Sequence, residues 1–319
     1  MKERPTIAAQ ILQPGPPARE AALYLALRHL TAADRQQAVA QALAAAGTSS
    51  DADGEVWAAM REGALVGALW GQRQPGRTAS LCPPQLVDGE PARTGTELLM
   101  AAVDRLSAQG VVLVQALLDT DVGADFDRFM AAGFEHVCDL LYLVSLAKTF
   151  PQTGPTGEVE FAAAVEADLP RLAAILERTY EGTLDCPRLN GVRSIEDILQ
   201  GYRGHGAFPT GRWLICRHAG QDVGCLLLAE HTGSDSWELV YMGLLPEYRG
   251  RGWGTSLVRQ AQWLTGQARR ARLVLAVDAS NGPAIGSYSE AGFLAWDRRT
   301  VLLRVLTRAG AALGSTTKI

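Results

Sequence analysis

The chain has 319 residues, 47% of them hydrophobic and 20% charged, enough to bury the cores of about two domains. Its net charge of -4 excludes the basic surface that a nucleic-acid partner needs, and no apolar run is long enough to span a membrane. Residues 1–10 lack the basic-then-apolar build of a secretion signal, and Cys82, Cys138, Cys186, Cys216 and Cys225 show no paired metal-ligand spacing, so a reducing cytoplasm and no metal centre are expected.

In chain order, alternation and turn residues predict strands over 55–60, 64–72 and 78–87, a helix over 96–109 and a strand over 111–117. A short helix then closes on Phe129-Met130-Ala131-Ala132-Gly133-Phe134. Residues 148–157, carrying Pro151, Gly154, Pro155 and Gly157, form the natural linker. Helices are predicted over 168–180 and 194–202, joined by an irregular polar segment. Strands follow over 213–217, 223–230 and 237–245, then a helix over 255–268 and a strand over 272–277. The last predicted helix, 283–291, has Pro283 in its first turn and Gly292 at its end. The small, polar residues 307–319 read as a disordered tail.

The two halves repeat one pattern. Tyr288-Ser289-Glu290-Ala291-Gly292-Phe293 resembles the sextet at 129–134, about half a chain length earlier. Around each copy the expected order is three strands, a long helix, a strand, a short helix and two strands. The chain therefore divides into domains at 1–150 and 158–308, with a flexible tail at 309–319.

Between the strand at 237–245 and the helix from Thr255 lies Arg249-Gly250-Arg251-Gly252-Trp253-Gly254. A strand that feeds a glycine-rich turn and then a helix makes an anion cradle, because the helix start offers unpaired N–H groups and glycines admit a phosphate close to the main chain. The absent Gly-Lys-Ser/Thr ending and the late position argue against a nucleoside-triphosphate loop and a first-strand dinucleotide fingerprint. The spacing Arg-x-x-Gly-x-Gly resembles the pyrophosphate loop of the GNAT superfamily of acyl-coenzyme A dependent N-acetyltransferases, with Arg249, Gly252 and Gly254 at its defining positions. The order strand, Asn281, helix, Tyr288, Gly292-Phe293 is similar to that family as well.

The resemblance implies an α/β (α+β) chain of two tandem GNAT folds, each a mixed central sheet of about six to seven strands flanked by helices. This arrangement is similar to that of mycothiol synthase, in which a degenerate first domain precedes an active second. It implies acetyl-CoA as cosubstrate, held by Leu244, Leu245, Arg249, Gly250, Arg251, Gly252, Trp253, Gly254, Thr255 and Asn281. Trp253 is expected to point outward, over the adenine or ribose or onto its helix. By the same resemblance Tyr288 lies near the coenzyme's sulfur. Taken alone it reads as a half-buried helix tyrosine.

Aligning the halves puts Glu90, Arg93 and Gly95 at the places of Arg249, Gly252 and Gly254, and Val122 and Phe129 at those of Asn281 and Tyr288. The first domain is thus expected to keep the fold and lack the chemistry. Direct attack of an amine on a thioester needs a base and an acid; Tyr288 is the acid candidate. Glu238 is either the base or a solvated strand end, and alternation places it on one face with Val240, Met242 and Leu244. Amides near Leu244 would polarise the acetyl carbonyl.

Residues 179–208 should overhang the acceptor. There Tyr180, Glu181, Asp185 and Arg188 either orient a small polar amine or belong to an ordinary surface loop. Cys186 lacks a neighbouring cation that would activate it, and His205 reads as a loop residue. The leading expectation is an N-acetyltransferase acting on a primary amine of a small molecule. The alternatives are a protein lysine or N-terminal acetyltransferase and a non-catalytic acyl-CoA sensor.

Overall fold

The computed structural model describes residues 8–45, 54–120, 123–204, 211–231 and 233–306. The chain forms two compact units, Met1–His136 with Leu302–Ile319, and Val137–Val301. Val122, His205, the end of the 179–208 segment and the 307–319 tail lie outside the described residues.

In the first unit β1 (Gln10–Leu12) is followed by helices α1 (Ala18–Ala26) and α2 (Ala32–Ala45). Strands β2 (Gly54–Arg61), β3 (Ala64–Gln74), β4 (Thr78–Leu81) and β5 (Gln85–Leu86) come next, then α3 (Arg93–Ala108), β6 (Leu113–Asp119) and α4 (Ala124–Ala131). β1, β2, β3 and β4 pair antiparallel in that order, β5 pairs β3, and β4 pairs β6 in parallel. Glu62 and Gly63, both at positive φ, make the tight turn that lets β2 fold back on β3. Alternation along β2 then serves both faces. Val56 and Ala58 pack with α1 and α2, while Trp57 and Ala59 pack with the buried stripe of α3, Leu98, Leu99, Ala102, Val103 and Leu106. The strand expected over 78–87 is broken in two, because Pro83 and Pro84 separate β4 from β5 and cannot donate to a ladder.

The second unit is built on β7 (Glu135–Leu146), β8 (Glu160–Ala163), α5 (Leu169–Thr179), α6 (Ile195–Gly204), β9 (Trp213–His218), β10 (Gln221–Glu230) and β11 (Ser236–Leu244). It is completed by α7 (Trp253–Gln267), β12 (Arg272–Asp278), α8 (Gly282–Glu290) and β13 (Leu294–Val305). Its sheet runs β13-β7-β12-β11-β10-β9-β8. Val223 to Ala229 of β10 are all buried, as a central strand covered on both faces must be. Leu226 and Leu228 pack with α7 and α8, and Cys225 and Leu227 pack with α5 and α6.

A single twelve-residue strand follows each short helix, β7 after α4 and β13 after α8, where two were expected among these residues. β7 precedes the 148–157 segment in sequence yet pairs with β12 along its full length, Leu140–Leu146 against Arg272–Asp278. The end of β13 goes to the first unit: Leu302 is buried in that unit's core, and the Leu306 N–H donates to the Val112 carbonyl.

Candidate active site

The second unit contains a wedge between two strands. β11 and β12 pair in parallel only where Ser236–Glu238 face Arg272–Val274. Beyond that point β11 stays on β10 as far as Leu244, and β12 stays on β7 as far as Asp278. Two strands that are each held on the far side and parted on the near side leave a slot for an extended ligand to pair as an added strand.

A bulge shapes the same strand. Leu227 faces Tyr241 and Leu228 faces Leu239, so Val240 is the extra residue and the alternation changes phase there. Trp237 and Leu239 pack toward α7 before the bulge, Met242 and Leu244 pack toward it afterwards, and Tyr241 packs toward α5 and α6. The expectation that Glu238, Val240, Met242 and Leu244 share a face is therefore corrected. Glu238 opposes Ala229 and shares its side with Tyr241. The Leu245 N–H is spent on the Val223 carbonyl. By ladder alternation the amides of Met242 and Leu244 turn away from β10, toward the wedge.

After Leu245 a single 3-10 turn, Pro246–Tyr248, leads into the glycine loop and α7. Gly250 and Gly252 both sit at φ 75°, a left-handed conformation costly for other residues. Gly252 caps α7, and no side chain caps its first turn, so that turn keeps the orphan N–H groups of a helix start. Gly254 lies against α8, where a Cβ would come 3.3 Å from Ser287 Oγ. Thr255 donates through Oγ1 to Glu290 at 3.1 Å.

Arg249 is occupied otherwise than expected of a phosphate ligand. Its Nε donates to the Leu244 carbonyl (3.0 Å), Nη1 to the carbonyls of Glu181 (2.7 Å) and Gly182 (3.3 Å), and Nη2 to that of Thr179 (2.8 Å). A guanidinium fork so placed satisfies carbonyls at the C-terminal end of α5 and ties that end to the loop. Trp253 points inward, correcting the outward expectation. It is buried in the core under Tyr248, whose ring stacks on it at 5.9 Å. Arg251 lies over both rings, 5.2 Å from Tyr248 and 5.1 Å from Trp253, a cation–π arrangement that holds it beside the cradle.

Asn281 caps α8, its Oδ1 accepting from the Ala284 N–H at 3.3 Å, which sets the helix that carries Tyr288. Tyr288 is buried against Phe293, and burial, then nearby Asp185, holds its phenol above the ordinary tyrosine value. The group therefore stays protonated at neutral pH. Glu238 Oε2 lies 2.7 Å from His231 Nε2, a partner that sequence reading missed because the pair forms only once the β10–β11 hairpin closes. Four residues of strand, about 13 Å, separate Glu238 from Met242.

Of the predicted acceptor residues, Tyr180 joins Tyr202 through their hydroxyls at 2.7 Å, and burial pushes its phenol up to about 12. Tyr241, hydrogen-bonded to Thr179 at 2.8 Å, lies 5.4 Å from the Tyr180 ring and 5.6 Å from that of Tyr202. Tyr202 and Tyr241 were not singled out from sequence. Tyr241 hides in a strand whose alternation conceals the bulge. Asp185 is exposed as a residue, yet its carboxylate turns inward, where Oδ1 accepts from the Asp278 N–H at 3.0 Å. Burial of that carboxyl, opposed by the Asp278 hydrogen bond, raises it above the usual carboxylate range. The hydrogen bond is direct, so the inward placement outweighs the residue's outer exposure. Glu181 is exposed, and Arg188 lies in the 3-10 turn Pro187–Leu189.

The first unit differs at the matching place. Glu90 is partly buried just before α3, 2.6 Å from Arg61 Nη2 and 2.5 Å from Thr94 Oγ1. The amides of Thr94 and Gly95 are already spent on the Pro91 and Ala92 carbonyls. Phe129, buried edge-to-face against Phe134, stands where the second half has its phenol. A cleft of about 320 Å³ in the second unit is lined by Phe150, Gln152, Asp235, Trp263 and Arg269 among others, and includes none of the predicted site residues. The wedge, with its amides and buried phenol, is the better candidate, since a hollow without placed chemistry is only a hollow.

Comparison with known proteins gives a family match over part of the chain and likenesses of fold. Residues 176–293 match the Acetyltransferase (GNAT) family. No curated protein matches the chain. Among solved structures, a GCN5-related N-acetyltransferase from Sphaerobacter thermophilus is 16% identical with a TM-score of 0.60, covering 94% of this chain and 96% of its own. A tandem GNAT protein from the clavulanic acid biosynthesis pathway is 14% identical with a TM-score of 0.54, covering 94% and 99%. A glucosamine N-acetyltransferase region of a fungal multi-domain β-N-acetylglucosaminidase is 15% identical with a TM-score of 0.63, covering 95% of this chain and 38% of that one. At these identities the likeness is one of fold. Among the described residues no helix is long and apolar enough to cross a membrane.

Proposed function

We propose that this chain, whose residues 176–293 match the Acetyltransferase (GNAT) family, is an acetyltransferase of that kind, transferring an acetyl group from acetyl-CoA to a primary amine of a small polar acceptor, with all the chemistry in residues 158–308. The observation that carries this reading is the β11–β12 wedge, which leads directly to an uncapped helix start. Those residues fit the coenzyme. The first-turn amides of α7, with Gly250, Gly252 and Arg251, would hold its pyrophosphate, and the Met242 and Leu244 amides would hold its pantetheine arm and acetyl carbonyl. Acetyl-CoA supplies the acetyl group as an activated thioester.

Tyr288 holds a proton at Oη for the leaving thiolate, since its raised phenol does not ionise near neutral pH. Glu238, held by His231, takes the proton of the incoming ammonium through intervening water. Tyr180 lines the acceptor side with Tyr202 and Tyr241, and exposed Glu181 favours a cationic amine. Packed phenols on a segment tied down by Arg249 and Asp278 favour a compact acceptor over a polypeptide.

The test is thiol release from acetyl-CoA across a panel of small amines and peptides. Wild type should release thiol with at least one small amine, and Tyr288→Phe should lower kcat by about 100-fold or more with little change in the acetyl-CoA KM. A phenol held above about 10 also places any alkaline fall in kcat due to Tyr288 above that pH. Release with peptide amines alone would replace the small-molecule reading with a protein-modifying one.

A further inference from the structure

Two cysteines 48 residues apart in sequence meet in the second unit, where Cys138 Sγ and Cys186 Sγ lie 2.7 Å from each other. Cys138 is buried on β7, and Cys186 is partly exposed in the segment between α5 and α6. Both are set by the same piece of backbone. The Ala279 N–H donates to the Asp139 carbonyl, next to Cys138, and the Cys186 N–H donates to Asp278 Oδ2 at 3.1 Å. Cys186 adopts φ 41°, unusual for a residue with a side chain, and the surrounding hydrogen bonds hold it there.

Three chemistries can bring two sulfurs together. Ordinary nonbonded packing keeps heavy atoms roughly 3.5–4 Å apart. Asp278 adds a third potential ligand within 4.8 Å, which suggests a metal, but Zn–S bonds of about 2.3 Å in a tetrahedral site hold two thiolates roughly 3.8 Å apart. Only an S–S bond of about 2.05 Å brings them closer than the observed contact. Both Asp278 oxygens are also already engaged, Oδ1 by the Ser280 N–H and hydroxyl and Oδ2 by the Cys186 N–H.

We propose that Cys138 and Cys186 are a redox-reversible disulfide site that fastens the segment between α5 and α6 to β7. With a peroxide as oxidant, the more accessible Cys186 thiol attacks the O–O bond, giving a sulfenic acid and one molecule of water. The Cys138 thiol then attacks that sulfur, the S–S bond forms, and a second water leaves. Two electrons from the sulfurs reduce one peroxide to two waters, and a dithiol reductant reverses the process. The neighbouring thiol and burial raise the Cys186 thiol, so the first step is slow near neutral pH and speeds up with alkalinity. Sulfurs already in contact need little motion, so oxidation fixes the segment in the arrangement described, with Asp185 against Asp278 and near Tyr288.

The experiment uses the full-length protein, reduced with a phosphine or treated with hydrogen peroxide, followed by non-reducing peptide mapping and thermal unfolding. The expected result is a cross-linked Cys138–Cys186 peptide pair, and a Tm at least about 5 °C above that of the reduced protein, as closure of a loop of this length predicts. Both effects should vanish in Cys186→Ser and, independently, in Cys138→Ala, while the reduced variants keep the Tm of the reduced wild type. Peroxide that oxidises other cysteines and leaves this pair uncross-linked would overturn the proposal. So would stoichiometric zinc in the reduced protein that is lost in Asp278→Ala. These readouts do not depend on the acetyl-transfer reading, which its own assay tests.

Discussion

Arg249 shows how a motif residue can serve a different purpose from the one its motif suggests. Its guanidinium makes four hydrogen bonds to carbonyls of the α5 end and of Leu244, so its charge is directed at backbone. Arg249→Ala should therefore lower stability by about 2 kcal/mol or more, because several charge-assisted hydrogen bonds are lost together. Arg249→Lys should restore little of it, since an ammonium cannot reproduce the fork. Urea unfolding beside coenzyme titration separates the two roles. A variant with unchanged stability and much weaker coenzyme binding would show that the residue acts on the ligand after all. At this scale the turn at Gly250 and Gly252, both at positive φ, was legible as a glycine-rich loop, whereas side-chain direction was not. The inward turn of Trp253 and the inward carboxylate of Asp185 depend on packing partners far away in the chain.

Among the elements, the start of α3 is the counterpart of the start of α7. Neither first turn has a side-chain cap, but beside that of α3 lies the Glu90 carboxylate, paired with Arg61 and the Thr94 hydroxyl, where α7 has the glycines and Arg251. Arg61 beside it holds the Glu90 carboxyl below the usual carboxylate range, although burial opposes this. A depressed carboxyl contributes stability above the pH at which an unfolded carboxyl ionises, and that contribution is lost as pH falls through the folded value. The urea midpoint should therefore fall on acidification below about pH 5, and Glu90→Gln should flatten the fall while lowering the midpoint at pH 7. An equally steep acid loss in the variant would remove Glu90 as its source. The strands and long helices around these starts were legible because their apolar periods are strong. The bulge at Val240 was not, since one inserted residue changes which face each later side chain occupies without altering the composition of the run.

For the whole molecule, an open cradle in one half and a self-neutralised one in the other predict a binding stoichiometry of one. Calorimetric titration with acetyl-CoA should give one site per chain, and two would restore a functional role to the Glu90 loop. The repeat that announced two similar halves was visible from one sextet, but the path of the chain between the units was not, because pairing partners of a strand are chosen in three dimensions. That path has a consequence for how the protein is made. Residues 302–306 contribute to the unit that contains most of the N-terminal half, so a ribosome that has finished residue 136 has not yet supplied what that unit needs. That strand end emerges only after residues 137–301, the whole second unit, have been made. Nascent chains stalled at residue 160 should therefore remain protease-sensitive across 54–119, whereas released full-length chains should be protected there. Protection in the stalled chain would mean that the first unit matures without its final strand.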